Sequence, residues 1–159
     1  MIAMNKIFLI FFSFIIAGCN ADEAFIDRHK PKFESMTFDV VQKKLVIEKE
    51  LPDYVQTLVF SWFDEKVKIN GFDGDMKFII SDYRQEISSI TDGKRVDISL
   101  SFEVFLKKPL LSKTKLIKGK VSSYSTLTGN LSLNEFDVVI QNTQNDLILR
   151  LSRDLKSKI

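Results

Sequence analysis

From Val96 to Leu106 an apolar residue stands at every second position, Val96, Ile98, Leu100, Phe102, Val104 and Leu106, set against Asp97, Ser99, Ser101, Glu103 and Phe105. Successive side chains of a β-strand point to opposite faces, so this run predicts a strand with one face buried and the other mostly wet. Thr91-Asp92-Gly93-Lys94 precedes it, and Asp-Gly is a strong hairpin signal. Upstream of that turn, Met76, Phe78 and Ile80 repeat at period two and continue less regularly through Tyr83, Ile87 and Ile90. Beyond Pro109, residues 113–126 again read as extended, with Leu116, Gly119, Val121 and Tyr124 among polar and basic neighbours. Three strands joined by hairpins result, long enough for the tip around Lys107 to Lys115 to project.

Two stretches carry the helical period instead. Leu51, Val55, Leu58 and Trp62 fall at steps of four, three and four, with Pro52 suited to a first turn and Asp53 favourable beside the helix N-terminus. This helix is expected to stop by Asn70-Gly71, which can take the left-handed conformation, and Trp62 to anchor the core. The second helix opens at Ser132-Leu133-Asn134-Glu135, which has capping-box spacing. Phe136, Ile140, Thr143, Leu147, Leu151 and Leu155 mark its apolar face, widened by Val139 and Ile148. Ahead of the first helix, Phe33, Met36, Phe38, Val40, Leu45 and Ile47 read as one strand, with room for a break near Gln42 to Lys44. The order β-α-β-β-β-α predicts an α+β two-layer sandwich, an antiparallel sheet with two helices packed on one face.

Residues 1–18 carry a single charge, Lys6, and then an apolar run of roughly 11 residues, Ile7 to Ala17, where a membrane-spanning helix needs roughly 20. That pattern is a signal peptide. The only cysteine, Cys19, follows Ile16-Ala17-Gly18 directly, and these four residues resemble the lipobox of bacterial lipoproteins. The resemblance implies cleavage between Gly18 and Cys19 and a membrane anchor of diacylglycerol on Cys19. Two or three acyl chains, at about 0.8 kcal/mol per buried methylene, make such an anchor effectively permanent. Asn20 stands where the enteric pattern places an aspartate for inner-membrane retention, which points to the outer membrane. The chain thus divides into a signal peptide (1–18), a lipidated tether (19–32) holding His29 and Pro31, and a single α+β domain (33–159).

The chain has 23 basic and 21 acidic residues, and loss of residues 1–18 removes Lys6 alone, leaving 22 against 21. So even a balance argues against nucleic acid as a partner. The one histidine lies in the tether, which excludes most histidine-based triads and multi-histidine metal sites, and an acylated cysteine is no nucleophile. Asp73-Gly74-Asp75 lacks the further ligand spacing of a calcium loop and reads as a solvated turn. No catalytic residue, metal or cofactor is expected, and the chain is read as non-enzymatic.

The sharper feature is basic. Lys107, Lys108, Lys113, Lys115, Lys118 and Lys120 cluster around the hairpin tip of an otherwise balanced chain. Positions 113 and 115 differ in phase from 118 and 120, so a common surface for all four needs a loop or bulge. Taken with Ile16 to Cys19, the element order, the Val96-to-Leu106 strand, Gly119-Lys120-Val121-Ser122-Ser123-Tyr124 and the long terminal helix, the chain resembles the lipopolysaccharide-assembly lipoproteins. The resemblance implies a plug-like partner of an outer-membrane β-barrel that helps deliver lipopolysaccharide to the cell surface. Lys113, Lys115, Lys118 and Lys120 are then the residues expected to meet lipid A phosphates. The alternative is a periplasmic lipid carrier, or an auxiliary lipoprotein of a lipid transporter, with lipid held between helix and sheet.

Overall fold

A computed structural model describes residues 33–129 and 132–159, of which Phe33–Ile159 forms one compact unit. Its elements are β1 (Met36–Phe38), β2 (Gln42–Ile47), α1 (Asp53–Lys66), β3 (Val67–Ile69), β4 (Asp75–Ile90), β5 (Gly93–Lys108), a 3-10 turn (Pro109–Leu111), β6 (Lys113–Thr128) and α2 (Leu133–Lys158). A four-stranded sheet in the order β2-β4-β5-β6 carries both helices on one face, the α+β sandwich read from the sequence. The sheet is mixed, because β2 pairs with β4 in parallel. A strand that returns through a helical crossover arrives in the same direction as the one it left, and α1 is that crossover.

The first strand breaks at Asp39–Val41 rather than near Gln42 to Lys44, so that β1 leaves the main sheet and pairs in parallel with β3. That pairing also ends α1 at Lys66, earlier than Asn70-Gly71, since Val67 to Ile69 are recruited as strand. Lys43 replaces the expected left-handed cap. Its Nζ donates to the carbonyls of Phe63 and Val67, both at 2.7 Å, with the Phe63 ring 4.7 Å away. A cation there meets orphan carbonyls at the negative end of the helix.

Strand β4 explains the irregular run after Ile80. Ser81 is an extra residue between Ile80, opposite Phe102, and Asp82, opposite Ser101. A bulge shifts the phase by one, so Met76, Phe78 and Ile80 face the helices before it and Tyr83, Gln85 and Ile87 after it. The turn to β5 is Thr91-Asp92, and Gly93 opens the new strand where the Leu127 carbonyl lies too close to admit a side chain.

Helix α2 is held by Leu147, Ile148, Leu151 and Leu155, none of which retains exposed surface, each worth about 1.5–3 kcal/mol for full burial. Its start is the capping box: Ser132 Oγ accepts from the Glu135 amide at 3.3 Å and Glu135 Oε2 accepts from the Ser132 amide at 2.8 Å. Ser132→Ala is expected to cost about 1 kcal/mol, read as a lower midpoint in urea unfolding.

The middle of α2 also makes polar contacts, several of them to the sheet. Ser123 and Arg150 each donate to Asp146 Oδ2 at 2.7 Å, Thr143 donates to Ser125, and Gln144 donates to Gln85. Burial pushes the Asp146 carboxyl up, yet the hydrogen bonds from Arg150 and Ser123 outweigh it and hold the group below the usual aspartate range. A carboxyl depressed by folding stabilises fully above its unfolded value, roughly pH 3.9, and loses that contribution as pH falls through the lower folded value. Asp146→Asn is therefore expected to make stability less steep with pH below about pH 4, followed by circular dichroism on acid titration.

Candidate functional site

Strand alternation decides what each face of the sheet carries. The even residues of β5 and the odd residues of β6 point at the helices, and Val96, Ile98, Leu100, Phe102, Val104, Ile117 and Val121 are buried there. Among the described residues, no helix lies over the opposite face. In its half nearest the Pro109–Leu111 turn, Lys44 of β2 lies directly opposite Lys77 of β4, Lys77 opposite Phe105 of β5, and Phe105 opposite Leu116 of β6. The adjoining row runs Val46, Ile79, Glu103, Lys118, and Lys107 and Lys120 flank the two.

This arrangement is apolar in the middle and cationic around it. Leu116 is 46% exposed, Val46 and Phe105 are half-buried, and Lys44, Lys77, Lys107 and Lys120 are exposed. Glu103 binds Lys118 at 2.6 Å, and Asp75 accepts from the Gln42 amide. Among the described residues, no carboxylate lies within ion-pair distance of Lys44, Lys77, Lys107 or Lys120. Like charges directly opposite each other across a sheet are destabilising, roughly 0.2–1 kcal/mol per pair. The Lys44–Lys77 pair is therefore a feature that folding alone does not favour and a bound anion would.

The four lysines singled out from sequence separate. β5 and β6 pair in unbroken register from Gly93 opposite Thr128 to Lys108 opposite Lys113, so no bulge unites odd and even positions. Lys118 and Lys120 join the uncovered face. Lys113 and Lys115 fall on the helix side, past the end of α2, where Lys115 Nζ donates to the Lys158 carbonyl at 2.9 Å. Lys113 stands opposite Lys108, which is ion-paired to Asp39. Sequence reading missed Lys44 and Lys77. Lys77 was discoverable from its place between the inward Met76 and Phe78; the register that brings Lys44 beside it was not.

Asp73 Oδ2 accepts from the Leu110 amide at 3.1 Å, an exposed contact that ties the Asp73-Gly74-Asp75 turn to the hairpin. Cys19 and His29 lie outside the described residues. An open groove of about 550 Å³ runs along the helix side of the tip, bordered by Leu106, Leu111, Lys113 and Lys115. Between helices and sheet, Val55, Phe78 and Leu151 have no exposed surface.

No protein-family model matches this sequence, and no curated protein matches it. Solved structures do match. The chain aligns with the crystal structure of rare lipoprotein B from Shewanella oneidensis at a TM-score of 0.50, over 74% of this chain and 96% of that one, with 13% identity. The two share a fold. More distant are a minor lipoprotein from Acinetobacter baumannii (TM-score 0.46, 14% identity, 76% of this chain and 92% of that one) and lipoprotein B from Nitrosomonas europaea (0.42, 9%, 78% and 87%). The sandwich of this chain is thus one on which a bacterial lipoprotein is built.

Proposed function

We propose that this chain is an outer-membrane lipoprotein, anchored through Cys19, that serves as a non-enzymatic partner of a β-barrel and holds lipopolysaccharide on its uncovered sheet face during delivery to the cell surface. The observation that carries the reading is the combination on that face. Lys44, Lys77, Lys107 and Lys120, which among the described residues have no carboxylate within ion-pair distance, surround Phe105, Leu116 and Val46, and lipopolysaccharide offers phosphates beside acyl chains. Charge-assisted contacts from lysine to phosphate fix position, while the apolar stripe removes hydrocarbon from water. The shared fold with a bacterial lipoprotein and the Ile16-Ala17-Gly18-Cys19 sequence support the anchored part of the reading.

The test is a mild-detergent pulldown of the full-length lipoprotein from native membranes, followed by mass spectrometry of proteins and lipids. Recovery of a large outer-membrane barrel in near-equal amount, with lipopolysaccharide, is the expected result. Inner-membrane transporter subunits, or no companion protein, would contradict the assembly role.

A further inference from the structure

Phe72, Leu110 and Leu111 expose 84%, 74% and 54% of their surface, and exposed apolar side chains grouped in this way mark contact sites for protein or membrane. They come from two loops that the Leu110–Asp73 hydrogen bond draws together. Lys107 and Lys113 stand beside them at the last rungs of the β5–β6 ladder, so the apolar tip has a cationic collar.

The point at which the chain enters the domain bears on what this tip faces. Glu34 is ion-paired to Lys156 in the last turn of α2, and Lys158 of that turn donates to the Lys118 carbonyl. The chain therefore joins the domain at the end of the sheet that bears the tip. About 14 residues separate Cys19 from Phe33, and at roughly 3.6 Å each they reach no further than about 50 Å. The opposite end, with Thr91-Asp92 and Leu133, lies a full strand away, 16 residues or about 50 Å at 3.3 Å each. An anchored Cys19 therefore favours the tip end as the one held near the bilayer.

We propose that Phe72, Leu110 and Leu111 form a membrane-contact tip that rests in the headgroup layer of the leaflet holding Cys19, with Lys107 and Lys113 against anionic lipid headgroups. The proposal rests on the reading of Cys19 as the lipid anchor. Lipid surfaces reward this mixture, since apolar side chains partition into the interface and each basic residue gains from a negative surface potential.

The test places the mature lipoprotein in phosphatidylcholine vesicles, with and without phosphatidylglycerol, whose acyl chains are brominated. Leu110→Trp and Ile90→Trp are compared, both at exposed positions, with buried Trp62 as the internal reference. The expected result is a several-fold greater loss of emission for Leu110→Trp than for Ile90→Trp, larger with phosphatidylglycerol. Equal losses, or a greater loss at position 90, overturn the proposal. So does an indole at position 110 shielded from both acrylamide and bromolipid in native membranes, which would mean that protein covers the tip. Mass analysis of Cys19 checks the anchor separately. Should Cys19 prove bare, the same two variants on phosphatidylglycerol vesicles decide the tip by itself: quenching confined to position 110 upholds it, and its absence overturns it.

Discussion

Replacing Phe78 with alanine is expected to lower the unfolding free energy by about 3–5 kcal/mol, the range for emptying a large aromatic site in a packed core. Phe78 has no exposed surface, stacks on Phe102 with centroids 5.7 Å apart, and meets Trp62 edge-on at 5.5 Å. It thereby joins α1 to the sheet. Its neighbours come from both layers, which keeps the void from closing by collapse of one flexible segment. Against a usual total of about 5–15 kcal/mol, the loss leaves a marginal protein. Urea unfolding should show a much lower midpoint with unchanged slope, and Phe78→Leu should recover most of the difference, costing no more than about 1.5 kcal/mol. A Phe78→Ala loss under about 1 kcal/mol would mean that the two layers are not joined there as described.

Gly119→Val is the second large effect, and its sign depends on two opposed contributions. A β-branched residue in a strand gains up to about 1 kcal/mol from propensity. A Cβ at position 119, however, would stand 2.5 Å from two ring carbons of Phe102 and 2.7 Å from Asp154 Oδ2. The Phe102 ring is held by its stack on Phe78 and cannot swing away, and overpacking of this kind costs about 1–3 kcal/mol even before the two valine methyls are counted. Net destabilisation of about 2–3 kcal/mol is expected. Phe102→Leu in the same chain should relieve part of it, a positive coupling that a double-mutant cycle measures.

What the sequence made legible follows the same division between local and distant causes. The Val96-to-Leu106 alternation and the Ser132–Glu135 box are local signals, each satisfied by neighbours in the chain, and both appear as read. The break in the first strand, the early end of α1 and the parallel β2–β4 pair are not local. They depend on β1 finding β3 and on the crossover through α1, which no window of residues contains. The bulge at Ser81 left a trace, the change of phase between Ile80 and Tyr83, but a phase change can also be read as an irregular strand. For the candidate site, alternation set Lys113 and Lys115 in a different phase from Lys118 and Lys120, without saying which pair faces the helices. It could not supply Lys44 and Lys77, because cross-strand register is set by pairing, and it could not show that Lys115 caps α2.

That separation of the lysines gives the most direct test of the central claim, that the uncovered sheet face holds lipopolysaccharide. Retention of lipopolysaccharide by the mature protein is compared between the Lys77→Ser, Lys107→Ser, Lys120→Ser triple variant and the Lys113→Ser, Lys115→Ser double variant, at low and at high salt. The triple variant should bind roughly 10- to 100-fold more weakly at low salt, about 0.5–1 kcal/mol for each exposed lysine–phosphate pair removed, with the difference shrinking as salt rises. Its thermal stability should hold or increase, since Lys77 no longer opposes Lys44, while the double variant keeps most of its binding. Unchanged retention by the triple variant, or a loss confined to Lys113 and Lys115, would contradict the account.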